Sequence, residues 1–538
     1  MARYKEYGYD IKDGVGIIPE WEMEIKEEAF EGCKELKRID IPQWVTKIGK
    51  SAFSGCKNLT EIVLPEWLEE IEEKAFFDCS CLEEISFPRW VKKIGNRAFF
   101  DCSSLTSISI PPSVTEIGGG AFSRCSSLMS IVVSKENQVY DSRDDCNAII
   151  HTESNTLICG CKNTIIPSSV TRIGYGAFWG CSSLTSISIP PSVTKIGDSA
   201  FSGCKSLTSI SIPPSVTEIG GGAFSFCSSL TSISIPESVT KIGGWAFEGC
   251  KSLTSISIPE SVTEIGRDAF SGCPNLTSVE GPVFIVKKLP VKQLTFFVIS
   301  EGATKIGYNA FSGCSNLMSI SIPPSVTEIG GCAFSGCYNL KSINIPPFVT
   351  KIGRGAFDMC ITLTSITVSK DNMVYDSREE CNAIIHTESN TLIRGCKNTI
   401  IPPSVTKIGD EAFSDCSSLK SISIPPSVTE IGNYAFSGCS SLKGISIPPS
   451  VTEIKWRAFE GCFSLTSISI PPSVTEIGDS AFSRCSALMS ISIPPSVTKI
   501  GFLTFSNCSS LTDVRIPKGC DVNINTFSNC PYVQIIRY

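Results

Sequence analysis

The chain has 538 residues, of which 18% are charged and 42% hydrophobic, and its formal net charge is −7. This composition is too apolar for a disordered polymer, and a mild negative charge gives no basic face for nucleic acid. No apolar run approaches 18 residues, so we expect no membrane insertion. Residues 1–24 show neither the apolar core nor the cleavage pattern of a signal peptide, which leaves export by that route unsupported.

A 23-residue period accounts for almost the whole chain. One clear copy runs from Leu207 to Ser229 and reads LTSISIPPSVTEIGGGAFSFCSS. Its phenylalanine recurs 19 times between Phe30 and Phe527, which fixes the register of the copies. A unit this short cannot bury its own apolar edge, but stacked units share one continuous core. The period therefore predicts a single β-rich solenoid of about 20 rungs over residues 1–538.

Each part of the repeat predicts a local conformation. In LTSISI, isoleucines alternate with serines, as in a strand with one buried face. The following proline cannot donate to a β-ladder, so it ends that strand and turns the chain. Val-x-x-Ile-Gly predicts a second short extended segment. Ala-Phe-x-x-Cys is too short for a stable helix and predicts a 3₁₀ or single-turn coil.

The divergent N-terminal rungs, residues 1–100, carry the candidate binding residues. Four tryptophans recur there at the 23-residue spacing: Trp21, Trp44, Trp67 and Trp90. The strand face beside them carries charged side chains: Arg38, Asp40, Glu61 and Glu84. One interpretation is a tryptophan ladder that stiffens this end of the solenoid. The other is a binding patch, because tryptophan and arginine dominate the energetics of interfaces.

Two nearly identical inserts interrupt the period at residues 133–167 and 368–402. Each contains Asn-Ala-Ile-Ile-His, a Thr-Glu-Ser-Asn turn and Thr-Leu-Ile, which predicts a β-hairpin. The copies are offset by 235 residues, as are their flanking phenylalanines, so the chain contains a larger tandem duplication. Residues 276–293, near the join, form a shortened rung that lacks the Ala-Phe-x-x-Cys part, and residues 509–538 form the C-terminal rungs.

The cysteines and histidines do not indicate a catalytic or metal site. Nineteen of the 27 cysteines close the Ala-Phe-x-x-Cys part, where small buried thiols suit a crowded interior. So many unpaired thiols favour a reducing, cytoplasmic compartment. The two histidines, His151 and His386, lie roughly 50 Å apart on the predicted stack and cannot share a site. With no phosphate loop, nucleophile elbow or metalloprotease motif, we expect no enzyme, cofactor or metal.

The combined frame Leu-x-x-Ile-x-Ile-Pro, Ser-Val-Thr-x-Ile-Gly and Ala-Phe-x-x-Cys resembles the BspA-like leucine-rich repeats. The resemblance implies a right-handed leucine-rich-repeat solenoid, and a parallel β-helix is the alternative. It also implies a protein-interaction or adhesion role, with a host or microbial surface protein as the partner and a cell-surface location. A glycan bound along the tryptophan stripe and an intracellular scaffold or spacer are the other hypotheses.

Overall fold

The computed structural model describes residues 4–290 and 292–538. The chain forms a β-solenoid of about 23 turns, built mostly from short strands with few helices, so the predicted fold class is confirmed. It divides into two compact units, the first of residues 4–276 with 288–290 and the second of residues 277–287 with 292–538. Residues 1–3 of the predicted N-terminal rungs and residue 291 of the shortened rung lie outside the described residues.

The first strand of the repeat lies at the LTSISI segment in most rungs, whereas at residues 184–189, 207–212 and 419–424 only single serines pair between rungs. In Ser232–Ser234 the isoleucine is buried and both serines are exposed, and this strand pairs in parallel with Ser255–Ser257, 23 residues later. In the first unit these strands are Arg38–Asp40, Glu61–Val63, Ser107–Ile110, Ser130–Val133, Ser232–Ser234 and Ser255–Ser257. In the second unit they are Ser278–Gly281, Phe296–Ile299, Ser319–Ser321, Ser342–Ile345, Ser365–Val368, Gly444–Ser446, Ser467–Ser469, Ser490–Ser492, Asp513–Ile516 and Gln534–Arg537.

The second strand of the repeat is two residues long and also pairs in parallel between rungs, as in Lys195 with Glu218. In most of these strands the isoleucine is buried, and it lies beside the isoleucine of the next rung, as Ile196 beside Ile219. In the first unit these strands are Glu24–Ile25, Lys47–Ile48, Glu70–Ile71, Lys93–Ile94, Glu116–Ile117, Arg172–Ile173, Lys195–Ile196, Glu218–Ile219, Lys241–Ile242 and Glu264–Ile265. In the second unit they are Lys305–Ile306, Glu328–Ile329, Lys351–Ile352, Lys407–Ile408, Glu430–Ile431, Glu453–Ile454, Glu476–Ile477, Lys499–Ile500 and Asp521–Val522.

The Ala-Phe-x-x-Cys segment forms hydrogen-bonded turns and not a 3₁₀ helix. Its phenylalanine also binds the next rung, as when Phe30 N donates to Ala52 O at 2.7 Å. The buried rings of these phenylalanines stack along each unit, and we call each stack the phenylalanine column. The rings of Phe201 and Phe224 lie 5.4 Å apart and 1° from parallel. The 3₁₀ helices of the described residues lie elsewhere, at Tyr4–Tyr7, Arg143–Asp145, Val283–Lys288 and Arg378–Glu380.

Both inserts contain the predicted hairpin. In the first unit Ala148–His151 pairs antiparallel with Thr156–Gly160, which then pairs in parallel with Arg172–Ile173 and so joins the ladder of second strands. A Cβ on Gly160 would lie 2.2 Å from the ring of Phe178, so the insert needs glycine where it meets the phenylalanine column. The insert strands are Tyr140–Asp141, Ala148–His151, Thr156–Gly160, Tyr375–Asp376, Ala383–His386 and Thr391–Gly395.

A short hairpin covers the N-terminal end of the first unit. Asp10–Lys12 pairs antiparallel with Val15–Ile17. The rings of Tyr4 and Tyr9 stack on Phe30 at 5.8 and 5.7 Å. Repeat arrays need such a terminal element because the first rung otherwise exposes the core.

Candidate binding groove at the N-terminal rungs

A tight turn positions each of the four tryptophans. Val45 N donates to Pro42 O at 3.1 Å, which closes a turn with Trp44 at its third position. In later rungs a serine takes this position and its hydroxyl binds the preceding rung, as when Ser215 Oγ donates to Val193 O at 2.7 Å. Among the described residues, none of the four tryptophan side chains makes such a bond. The first four rungs therefore have a large exposed ring where most later rungs have an inter-rung hydrogen bond.

The tryptophan side chains project into solvent along one edge of the first unit. Their exposed fractions are 74% for Trp21, 64% for Trp44, 51% for Trp67 and 42% for Trp90. Three of them line a shallow groove of about 560 Å³. The residues that line it are Trp21, Met23, Trp44, Thr46, Trp67 and Glu69. We call this surface the tryptophan groove.

The tryptophans form only part of a ladder. Trp67 and Trp90 stack with ring centroids 6.1 Å apart. Within the described residues, Trp21 and Trp44 take part in no ring stack, unlike the phenylalanines inside the same rungs. The guanidinium of Arg89 lies 5.3 Å from the ring centroid of Trp90 and forms a cation–π contact. A ladder that stiffens the rungs would need all four rings in contact. Stacking therefore accounts for Trp67 and Trp90 but not for Trp21 and Trp44.

The four charged candidates lie outside the tryptophan groove. Arg38 Nη2 contacts Asp40 Oδ1 at 3.1 Å, and Arg38 Nη1 contacts Glu61 Oε1 at 3.6 Å, so the first strands carry a small ion-pair network. Glu84 is exposed and lies in a segment without strand pairing. None of the four lines the groove, so the structure separates them from the tryptophans.

Met23, Thr46 and Glu69 also line the tryptophan groove and were missed by the sequence analysis. Each follows a tryptophan by two residues, and Lys92 Nζ contacts Glu69 Oε2 at 2.8 Å. The 23-residue period aligns these positions, but in the sequence they do not differ from other exposed positions just before the second strand.

We call the nineteen cysteines of the Ala-Phe-x-x-Cys segments the column cysteines. They are buried, except for Cys181, which is half-buried. Burial raises the pKa of the Cys33 thiol to about 11 and that of Cys181 to about 12, so these thiols stay protonated near neutral pH. His151 and His386 sit in the hairpin turns, each with Nδ1 3.0 Å from a serine hydroxyl. Over residues 4–290 and 292–538 no three metal-ligating side chains gather, and no helix is long and apolar enough to cross a membrane.

Known proteins similar to this chain are leucine-rich-repeat proteins. A leucine-rich cell surface protein from Faecalibacterium prausnitzii is 30% identical, over 74% of this chain and 93% of its own, with a TM-score of 0.36. A leucine-rich repeat protein from Bacteroides ovatus is 21% identical, over 98% and 97%, with a TM-score of 0.37. Among curated proteins, none is detectably similar. The family profile described as BspA type leucine-rich repeat region (6 copies) matches four segments, at residues 23–144, 155–277, 290–389 and 395–534. The chain therefore belongs to the BspA-type leucine-rich-repeat family.

Proposed function

We propose that this chain is a non-enzymatic interaction protein and that the tryptophan groove is its main protein-binding site. The observation that carries the proposal is the replacement of a hydrogen-bonding serine by an exposed tryptophan in the first four rungs. This replacement removes a bond between rungs and exposes apolar surface, so it works against stability. Large aromatic side chains of this kind are the anchors on which interfaces depend most.

The surface of the later rungs is more uniform than that of the N-terminal rungs, and this difference supports binding at the N-terminal end. Their first strands present serines at the same positions again and again, as at Ser232 and Ser234 and at Ser255 and Ser257. A surface that repeats itself offers one partner no unique place to bind. The groove is lined by tryptophan, methionine, threonine and glutamate, and this variety suits recognition of one partner.

A matched pair of variants tests the proposal. Trp44→Ser with Trp67→Ser gives two N-terminal rungs the residue of the later ones. The control is Phe348→Ser, because Phe348 is 62% exposed and occupies the same turn position in the second unit. Pull-down of partner proteins followed by titration should show binding weakened by about 2 kcal/mol or more in the double variant and unchanged in the control.

Two results would contradict the proposal. Equal loss in both variants would mean that exposed aromatic rings bind nonspecifically. Unaltered binding in the double variant would move the site to the serine face of the solenoid. A glycan that binds the wild type and not the double variant would favour the carbohydrate hypothesis, since sugars also stack on exposed tryptophan rings.

A further inference from the structure

We propose that the tryptophan groove binds a positively charged extended peptide segment, with arginine side chains stacked on the exposed tryptophan rings. This inference rests on the proposed function of the groove and names its ligand. Three features of the N-terminal rungs support it: their charge, the unpaired carboxylates next in sequence to groove tryptophans, and a cation already bound to one tryptophan.

The negative charge of the protein is concentrated in the N-terminal rungs. Residues 20–90 contain 17 acidic and 9 basic side chains, a net charge of −8, whereas the whole chain carries −7. The rest of the chain therefore has nearly balanced charge. A field localised in this way attracts basic partners to this end of the protein and raises their association rate.

Two exposed carboxylates that are next in sequence to groove tryptophans have no cation in the part of the chain that the structure describes. Glu20 and Glu66 each precede a groove tryptophan and are exposed, and neither forms an ion pair among the described residues. Glu69 lines the groove, and Lys92 contacts it from the side of Trp90. A basic side chain in the groove would therefore have Glu69 in the lining, with Glu20 and Glu66 next in sequence to Trp21 and Trp67.

The chain itself shows that a tryptophan of this stripe binds a guanidinium. Arg89 precedes Trp90, and its guanidinium lies over the Trp90 ring. In the other three rungs the residue before the tryptophan is Glu20, Gln43 or Glu66. The rings of Trp21 and Trp44 thus lack a cation among the described residues and are the most exposed of the four. A guanidinium suits them better than an ammonium because its planar group stacks on aromatic rings.

The length of the stripe sets the length of the ligand. Strands of adjacent rungs lie about 4.8 Å apart, so the groove from Trp21 to Trp67 spans about 10 Å. An extended peptide rises about 3.3 Å per residue, and about three residues cover this distance. Alternate residues of such a peptide point to the same side, so two arginines would face the rings.

The experiment uses the full chain and three synthetic peptides of about eight residues. They share one sequence and differ only at alternating positions, which hold arginine, glutamine or glutamate. Binding is measured by calorimetry at low and at high salt. We expect the arginine peptide to bind at least about tenfold more tightly than the other two. Trp44→Ser with Trp67→Ser should lower that affinity about tenfold, Glu20→Gln with Glu66→Gln severalfold, and Phe348→Ser should leave it unchanged.

The outcomes separate this inference from the proposed function. If the glutamine peptide binds as tightly as the arginine peptide and the tryptophan variant loses both, the groove is a binding site but not a cationic one. If the arginine peptide binds the tryptophan variant normally and is released by salt, its binding is unspecific attraction to the acidic rungs and the inference fails. If none of the peptides binds in a tryptophan-dependent way, the inference fails too, and the pull-down decides the proposed function alone.

Discussion

The column cysteines do more than fill space between rungs. Cys56 Sγ donates a hydrogen bond to Phe30 O at 3.0 Å, and the same carbonyl accepts the N–H of Cys33 in its own rung. This contact repeats along the column, as from Cys485 Sγ to Phe459 O at 3.3 Å. A thiol is small enough for the crowded interior and still satisfies a buried carbonyl, which alanine cannot do.

The buried thiols predict that the fold is sensitive to alkali. Burial raises the pKa of Cys485 to about 12, whereas an unfolded cysteine ionises near pH 8.5. Between these values the unfolded chain releases a proton that the folded chain keeps, so stability present at lower pH is lost as pH rises. Each such thiol should cost about 1.4 kcal/mol of unfolding free energy per pH unit above about pH 9.

Urea denaturation at a series of pH values between 7.5 and 10.5 measures this dependence. Cys485→Ala is the matched variant, and its curve should fall less steeply than the wild type by the share of one thiol. A pH-independent unfolding free energy in this range would refute the prediction. Parallel slopes for wild type and variant would show that the ionising groups are not the column thiols.

The tryptophans also give a stability prediction. A serine at position 67 has Val45 O as its acceptor, by analogy with Ser215 and Val193 O. The gained hydrogen bond contributes about 1 kcal/mol and offsets the lost stacking of Trp67 on Trp90. Trp44→Ser with Trp67→Ser should therefore unfold within about 1 kcal/mol of the wild type in thermal and urea melts. A large loss would identify the tryptophans as structural.

At the scale of an element, the two inserts meet the phenylalanine column differently. In the second unit Arg394 is buried, and its Nη2 donates to Phe357 O at 2.8 Å and to Ser414 O at 3.0 Å. Its Nη1 donates to Glu411 O at 3.1 Å and lies 3.5 Å from Asp358 Oδ1. Phe357 belongs to the rung before the insert, and Ser414 to the rung after it. The guanidinium thus joins two rungs that the hairpin separates.

In the first unit Cys159 takes the place of Arg394, and Ser123 that of Asp358. Arg394→Cys should lower the unfolding free energy of the second unit by about 3 kcal/mol, because it leaves buried carbonyls and a half-buried carboxyl without their cation. Burial already raises the pKa of Asp358, and Arg394 opposes that shift. Adding Asp358→Ser should recover part of the loss. Urea melts and hydrogen exchange around residues 395–418 measure both effects. Equal stability of Arg394→Cys and the wild type would show that Arg394 does not hold the two rungs together.

The sequence was sufficient for those elements that repeat. The period predicted both strands of the rung and the alternation of Ile233 with exposed serines, and the Asn-Ala-Ile-Ile-His segments predicted the hairpins. It failed where the answer depends on contacts between rungs. The contacts of Arg394 depend on the two rungs that the hairpin separates, and these are not neighbours in the sequence. The hydrogen bond from the Cys56 thiol depends on the position of the Phe30 carbonyl in the preceding rung. Glu69 was missed in the groove because the direction of a side chain at the rung edge does not follow from the period.

At the scale of the whole molecule, the chain is long, but the residues that contact one another are separated by few positions in the sequence. Most strand pairings join residues 23 positions apart, as Lys195 with Glu218 and Ser232 with Ser255. The ion pairs between rungs follow the same spacing, and Lys195 Nζ lies 2.7 Å from Glu218 Oε2. Such exposed pairs contribute a few tenths of a kcal/mol each, so stability comes mainly from the apolar columns.

The near-identity of neighbouring rungs has a consequence for how the chain folds. LTSISIP occurs unchanged in four consecutive rungs, beginning at Leu184, Leu207, Leu230 and Leu253. A small sequence separation between contacting residues favours rapid folding. Because the rungs are so alike, however, a rung can dock on the wrong neighbour and loop out one repeat, at an entropic cost that grows only slowly with loop length. Such misdocked chains must partly unfold to correct themselves, so refolding should show a slow phase. The inserts and the tryptophan rungs are unlike their neighbours, and they act as markers from which the correct alignment can spread.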